Sequence, residues 1–344
     1  MTTFAPLFVP ASLREAVSDD AWLAAMLDAE RALGPDGDIF RPADYDIAQL
    51  CEEGRADASP VVPLARALRE QDPDAHGPAT SQDILDTAAM LVSKRARELV
   101  LADLDGAGAA AARLAETYRS TPMIARTLLQ QAEPTTFGLK AAGWLVALVD
   151  ARRRLAAVRL PAQLGGPAGT LDPEVTARFA AAVGLEAPVV PWHVYRGPVA
   201  ELAAALDAAA AACSKVGLDV VLLAQTEVGE VAEGESGGSS SMPHKQNPAA
   251  AVLARACARL VHANAGLLTS GDYELERAAG AWQSEWPALS ATLAFTGGAA
   301  AAARRSLEGL RVDAEQMETN VAGDDIGAAE TLVDRALAHY REAT

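Results

Sequence analysis

The feature that most constrains the fold is a proline-free stretch between Pro78 and Pro122, in which apolar residues recur every three or four positions. At this spacing they share one face of a long α-helix. The residues on that face are Leu85, Ala88, Val92, Ala96 and Leu99. A helix of this length needs neighbours that bury its apolar face, so the chain favours a bundle of long helices.

The same periodicity predicts further bundle helices at 199–223, at 252–267 and from about Pro287 to Leu307, with a last helix from Ile326 to Tyr340. Half of the 344 residues are hydrophobic and only 5% are aromatic. This alanine-rich balance favours closely packed helices over sheets. We therefore predict an all-α protein. Alanine on several helix faces would favour association into an oligomer, although a GC-rich genome gives the same alanine content.

Prolines and glycines break the first part of the chain, which allows only short helices such as one from Leu13 to Leu33. We predict a small N-terminal helical domain at residues 1–79. A central long-helix bundle with the catalytic loop follows at 80–320, and a short C-terminal helical remnant at 321–344.

The formal net charge of −17 argues against nucleic-acid binding, because phosphates require a basic face. The three cysteines show neither paired spacing nor the Cys/His spacing of a zinc site. The N-terminus lacks the pattern of a signal peptide, and the longest uncharged run, at 286–303, contains proline and glycines. These features predict a soluble, cytoplasmic protein without a metal site and without nucleic-acid or membrane partners.

A polar, glycine-rich segment at 234–241 separates two of the long apolar stretches and continues as MPHKQNP. Glycine-rich segments are most often flexible connections, and this one lacks the residue order of a P-loop. Lys245 and Asn247, together with backbone NH groups, could hold a carboxylate. The segment is therefore a candidate substrate loop.

The sequence GSSSMPHKQNP resembles the signature loop of the fumarase/aspartase superfamily. Two other segments resemble the same superfamily, TSQDILDT at 80–87 and RTLLQQAEPTTFG at 126–138. The resemblance implies a long-helix bundle, a homotetramer whose sites are each shared between three subunits, and a small anionic polycarboxylate substrate. It implies no metal or organic cofactor. Relatives continue with a further helical domain, so a truncated C-terminal domain is expected.

The resemblance also implies roles for particular residues, with Ser239 as the catalytic residue. Substrate binding is implied for Thr80, Ser81, Arg126, Thr127, Gln130, Lys245, Asn247 and Arg277. Further candidates are His76, His193, Arg196 and His244, while Lys140 is a charge that a tricarboxylate could use. Alternatives stay open, since Thr80 or Ser81 followed by Asp83 is also a helix-capping arrangement, and salt bridges use the same basic residues.

Leu128 stands where relatives that release amines or water carry a histidine, and leucine cannot transfer a proton. The segments LLQQAEPTTFGLKAAGWL, QTEVGEV and PWHVYR resemble the 3-carboxy-cis,cis-muconate cycloisomerase branch. This resemblance implies conversion of 3-carboxy-cis,cis-muconate to 4-carboxymuconolactone in the β-ketoadipate pathway. The attacking group there is a carboxylate, which is already deprotonated at neutral pH.

Three alternatives remain at this stage. Elimination of another stable anion, such as nitrite from nitrosuccinate, would also need no protonating histidine. Cleavage of a C–N or C–O bond, as in argininosuccinate or adenylosuccinate lyases, is less favoured because it needs one. A catalytically silent structural homologue would explain both Leu128 and the expected missing domain, but it would not need the combination of Ser239, Lys245 and Asn247.

Overall fold

The structure is a computed structural model that describes residues 3–34, 40–235, 237–238, 240–242, 245–271, 273–321, 323 and 325–343. Two predicted site residues, Ser239 and His244, lie outside these ranges. The described residues are mostly helical, and the all-α prediction is confirmed.

The shorter helices of the first segment are α1 (Ala5–Phe8), α2 (Ala11–Ala16), α3 (Asp19–Arg31), α4 (Ile47–Glu53) and α5 (Val61–Gln71). The later helices are α6 (Ser81–Thr117), α7 (Phe137–Ala157), α8 (Pro173–Ala182), α9 (Gly197–Leu223), α10 (Ala249–Leu268), α11 (Ala281–Glu308), α12 (Ala314–Asn320) and α13 (Ala329–Arg341). The strands are β1 (Pro122–Thr127), β2 (Gln130–Thr136), β3 (Val231–Glu233) and β4 (Leu310–Val312).

The long periodic stretches form helices as predicted, with corrections at their ends. The predicted helix from Leu13 to Leu33 is wrong as one element, because α2 ends at Ala16 and α3 starts after Ser18. The Ser18 hydroxyl accepts a hydrogen bond from the backbone N–H of Ala21 at 3.1 Å and so caps α3. The predicted start at Pro287 is also wrong, since α11 begins at Ala281 and contains that proline.

The segment at 122–136 forms an antiparallel hairpin, which the sequence did not predict. Thr127 pairs with Gln130, so Leu128 and Leu129 make a two-residue turn. Both leucines have positive φ, 50° and 64°, as a type I′ turn requires. This conformation is costly for residues other than glycine, asparagine and aspartate, and both side chains are exposed.

The chain divides into two compact units. The first unit comprises Met1–Glu98, Val158–Ala204 and His262–Ala294. Its core includes Trp192, whose backbone N–H donates to the side-chain oxygen of Gln163 at 3.0 Å and whose indole N–H donates to the Ala162 carbonyl at 2.9 Å. The predicted division at residues 79 and 320 stays a prediction.

The second unit comprises Leu99–Ala157, Ala205–Val261 and Phe295–Thr344. Its core includes aromatic side chains of α7, where Phe137 contacts Tyr118 and Trp144 edge-on, with ring centroids 5.6 and 5.7 Å apart. The Trp144 indole donates to the Asp219 carboxylate at 2.8 Å. This bond ties α7 to α9 and satisfies a polar group that burial would otherwise leave unpaired.

Two cysteines, Cys213 and Cys257, are buried in the second unit, whereas Cys51 is exposed in the first. Burial raises the pKa of each buried thiol to about 12. Among the described residues, no helix is long and apolar enough to cross a membrane.

The first turn of α7 contains a glycine that tolerates no side chain. A Cβ on Gly138 would lie 2.5 Å from the Arg119 Cα and 2.7 Å from the Tyr118 carbonyl oxygen, which are backbone atoms. We expect Gly138→Ala to lower the free energy of unfolding by about 1–3 kcal/mol, as overpacking does. Urea denaturation monitored by circular dichroism measures this loss.

Gly143 in the same helix supplies the matched control, since a Cβ there meets nothing within 4 Å. Gly143→Ala should leave stability unchanged or raise it by about 0.5–1 kcal/mol, because alanine favours a helix interior. Equal stabilities for the two variants would contradict this description of the first turn.

Candidate active site

The segment TSQD at the start of α6 is held by the carboxylate of Asp83, which is fully buried in the first unit. Asp83 accepts hydrogen bonds from the backbone N–H groups of Thr80, Gly165 and Gly166, each at 2.9 Å. It also lies 2.7 Å from His193 Nε2. The capping role that the sequence offered is confirmed for Asp83, and it fixes the backbone next to the partly exposed Thr80 and Ser81.

Arg277 is oriented by a chain of hydrogen bonds in the first unit. Its guanidinium donates to Gln82 Oε1 at 3.0 Å and to the carbonyls of Gly166 and Pro167 at 3.3 and 2.9 Å. All three acceptors are neutral, and within the described ranges no carboxylate forms an ion pair with Arg277. Its charge therefore remains available to an anion.

Two hydrogen bonds of its amide nitrogen fix the orientation of the Gln82 side chain. Its amide nitrogen donates to the His193 carbonyl at 2.8 Å and to the Asp86 carboxylate at 3.1 Å. The amide oxygen is thereby turned towards Arg277. Gln82 was not singled out from the sequence, although it lies within the matched TSQDILDT segment.

We expect Gln82→Met, which keeps the length of the side chain but removes the amide, to raise KM about threefold to tenfold. That range corresponds to losing one hydrogen bond of about 1 kcal/mol that holds a charged group. Steady-state kinetics on the active enzyme measure it, with kcat changing less than KM.

Gln163→Met is the matched control, because Gln163 is also buried in the first unit but bonds to the Trp192 backbone and not to Arg277. It should lower stability comparably while leaving KM unchanged. A similar KM in wild type and Gln82→Met would separate Gln82 from substrate binding.

Arg196 and His76, two further candidates, already have buried acidic partners. The Arg196 guanidinium bonds in bidentate fashion to both Asp86 and Glu285 and lies 4.6 Å from the centroid of the Trp192 ring. Burial alone would lower the pKa of Arg196, but the two carboxylates outweigh it and raise that pKa. In these contacts the charge of Arg196 is balanced by buried carboxylates of the protein.

His76 has a positive φ of 69° and lies 2.7 Å from Glu30 through its Nδ1 atom. Both side chains are buried. The contact gives His76 a structural partner, and its role in substrate binding stays a prediction.

In the second unit, Arg126 is paired with Glu230, a glutamate that is fully buried. The two side chains bond in bidentate fashion at 2.7 and 3.0 Å, and Asn320 Nδ2 donates to the same carboxylate at 2.9 Å. Glu230 belongs to the matched QTEVGEV segment, but the sequence suggested no role for it. Arg126 is thus neutralised where the sequence predicted a contact with substrate.

Thr127 and Gln130 flank the hairpin turn and pair with each other across it. Gln130 is exposed, and the side chain of Leu128 at the tip is 97% exposed. Because the leucine side chain has no polar atom, position 128 provides no proton donor or acceptor.

The serine loop is closed at its base by two backbone hydrogen bonds between Gly237 and Asn247, at 2.8 and 2.9 Å. Asn247 Nδ2 also donates to the Gly238 carbonyl at 3.1 Å. The buried Glu233 carboxylate then caps α10 by accepting from the N–H groups of Ala250 and Ala251. These bonds fix both ends of the loop that contains the predicted Ser239 and the exposed Lys245.

No group of three or more potential metal ligands lies together among the described residues. The predicted site residues are divided between the two units. Thr80, Ser81, His76, His193, Arg196 and Arg277 belong to the first, and Arg126, Thr127, Gln130, Lys245 and Asn247 to the second.

Comparison with known proteins gives matches over nearly the whole chain. A family model described as a lyase matches residues 61–262. Nitrosuccinate lyase of Streptomyces davaonensis is 43% identical in an alignment that covers 97% of this chain and 79% of the relative. The 3-carboxy-cis,cis-muconate cycloisomerase of Bradyrhizobium diazoefficiens is 40% identical, with coverage of 92% and 78%.

Among solved structures, the fold is similar to that of 3-carboxy-cis,cis-muconate lactonizing enzyme from Pseudomonas putida. The TM-score is 0.91 at 28% identity, and the match covers 99% of each chain. The fold therefore resembles that of a lactonizing enzyme, while the sequence identities to a lyase and to a cycloisomerase are 43% and 40%.

Proposed function

We infer the function from the family, since this chain belongs to the fumarase/aspartase (fumarate lyase) superfamily, whose members act on small carboxylates. We propose that it converts 3-carboxy-cis,cis-muconate to 4-carboxymuconolactone. Leu128, an exposed apolar side chain at the hairpin tip, supports a reaction that needs no protonated leaving group, and the match to a lactonizing enzyme over 99% of each chain supports this reaction in particular. In lactonisation a carboxylate is the nucleophile, and in the reverse reaction the same carboxylate is the leaving group. Neither direction requires a proton from position 128.

The addition still requires a proton on the carbon next to a second carboxylate. In this proposal Ser239 delivers it and, in the reverse direction, removes it. Lys245 and Asn247 stabilise the charge that develops on the neighbouring carboxylate. Serine needs nearby cations and amide N–H groups to act in this way, because its hydroxyl is otherwise a poor acid and base.

Arg277 holds another carboxylate of the substrate. Its guanidinium faces three neutral oxygens and keeps donors for an anion, and Thr80 and Ser81 lie on the backbone that Asp83 fixes. A polycarboxylate needs several such receptors, since each buried carboxylate must be paired or hydrogen-bonded.

A second candidate is elimination of nitrite from nitrosuccinate, favoured by the 43% identity to a nitrosuccinate lyase over 97% of the chain. Nitrite, like a carboxylate, is a weakly basic anion and leaves without a proton. Leu128 is compatible with both reactions, and an assay with both substrates distinguishes them.

The deciding experiment offers both substrates to the purified, EDTA-treated enzyme. Loss of diene absorbance with 3-carboxy-cis,cis-muconate supports the lactonising function, whereas nitrite release from nitrosuccinate supports the second candidate. Fumarate release from argininosuccinate or adenylosuccinate would contradict both. A folded oligomer that neither binds nor converts any of these compounds would favour the catalytically silent alternative.

We also propose a homotetramer in which each site takes residues from three subunits, with a cytoplasmic location. Light scattering tests the oligomer. Mixed tetramers of Ser239→Ala and Arg277→Ala chains should recover activity that neither variant has alone, if these residues meet across subunits. No recovery in verified mixed tetramers would contradict shared sites.

A further inference from the structure

Lys140 lies in the first turn of α7 on the same face as two core aromatics. Phe137 and Trp144 precede and follow it at helical spacing and are almost fully buried. The Trp144 indole on that face reaches Asp219 on α9. The half-buried Lys140 side chain therefore lies along the interior side of the helix within the second unit.

Four charged groups lie close enough to Lys140 to act on its ammonium group, and with it we call them the Lys140 cluster: Arg126, Lys140, Lys215, Asp219 and Glu230. Both carboxylates of the cluster already have a cation. Glu230 is bound by Arg126 at 2.7 Å, and Asp219 is bound by Lys215. Lys140 itself forms no hydrogen bond or ion pair with any residue of the described ranges.

An ammonium group in this position is costly for the folded protein. Burial lowers the pKa of Lys140, and the nearby Lys215 and Arg126 lower it further, against the opposing effect of Asp219 and Glu230. The two carboxylates cannot fully compensate because each is hydrogen-bonded to its own cation. An anion arriving from outside would remove this cost.

We propose that Lys140, in the second unit, binds a carboxylate of the substrate. This is the role that the resemblance implied for Arg126. The inference rests on the proposed function for the identity of the ligand, a di- or tricarboxylate. A lysine suits this task because its ammonium is a point charge that can follow an anion on a flexible stem. The Arg126–Glu230 pair then supports the receptor and does not contact the anion through its charge.

The test uses Lys140→Met, which keeps the aliphatic stem and removes the charge, in the full-length enzyme. Isothermal titration calorimetry with tricarballylate, a stable tricarboxylate, should show a dissociation constant at least about tenfold higher than that of wild type, the scale of one charged hydrogen bond. KM for the converted substrate should rise by a similar factor. The melting temperature should stay equal or increase, because the variant loses a half-buried cation that has no ion pair among the described residues.

Arg152→Met is the matched control, since it removes a cation from the same helix that is partly exposed and paired with Asp105 at 2.9 Å. It should leave the dissociation constant within about twofold of wild type, as expected for a screened surface pair. Equal tricarballylate affinities for wild type and Lys140→Met, or no binding by wild type, would overturn the inference. Intact binding without turnover of either proposed substrate would instead count against the proposed function.

Discussion

Ser239→Ala should lower kcat by roughly 100-fold or more while KM changes little, which is the usual scale for a lost acid–base group. The substitution removes one oxygen atom from a loop whose ends are fixed by the Gly237–Asn247 hydrogen bonds. The predicted carboxylate contacts of Lys245 and Asn247 remain. Substrate binding and stability should therefore persist while proton transfer fails. Single-turnover kinetics measure binding and proton transfer, and a melting curve measures stability.

Ser240→Ala and Ser241→Ala are the controls for general damage to the loop, and they should retain kcat within about threefold. A near-normal kcat for Ser239→Ala in enzyme of proven activity would remove Ser239 from the mechanism. The proton carrier would then be sought at His244 or at His193, whose Nε2 already contacts Asp83.

Arg196→Met should lower the free energy of unfolding by about 3–5 kcal/mol, because it leaves Asp86 and Glu285 buried without their shared cation. Each of these three side chains is less than 5% exposed, so water cannot take the place of the guanidinium as a partner of the carboxylates. Methionine keeps most of the aliphatic part of the arginine side chain. The loss of unfolding free energy therefore reflects the missing charge more than the missing volume. Urea titration at one fixed protein concentration measures it, since oligomers gain stability with concentration.

The matched control is Arg119→Met, which breaks an ion pair with Asp334 inside the second unit. Both side chains are more than a third exposed, so the expected loss is below about 1 kcal/mol. If the two substitutions cost the same, the Arg196 network would contribute no more than a surface pair. That result would return Arg196 to the residues considered for substrate binding.

The helices could be predicted from the sequence because their signal is local. Apolar residues at three- and four-residue steps place α6, α9 and α10 to within a few residues. The β1–β2 hairpin gives no such signal, since its strands are short and partly polar and its turn has two leucines in a conformation that glycine or asparagine favours. Tertiary context overrides local preference there.

The site was only partly predictable for a related reason. The Asp83 cap could be anticipated because it reaches a backbone group three residues away. The partners of Arg126 and Arg196 lie about a hundred residues away in sequence, at Glu230 and Asp86, and no spacing rule connects them. Sequence identified these arginines as charges worth noting, but only the fold shows which of them are already paired.

The three cysteines allow opening of the protein to be timed without any mutation. Thiolates react with labelling reagents and thiols do not, so the buried Cys213 and Cys257, with pKa values near 12, should remain unmodified while the second unit stays closed. The exposed Cys51 should react first and so calibrate the reagent within the same molecule. The later, slower modification then gives the rate at which the second unit opens, and bound substrate should slow that rate if it stabilises the closed form.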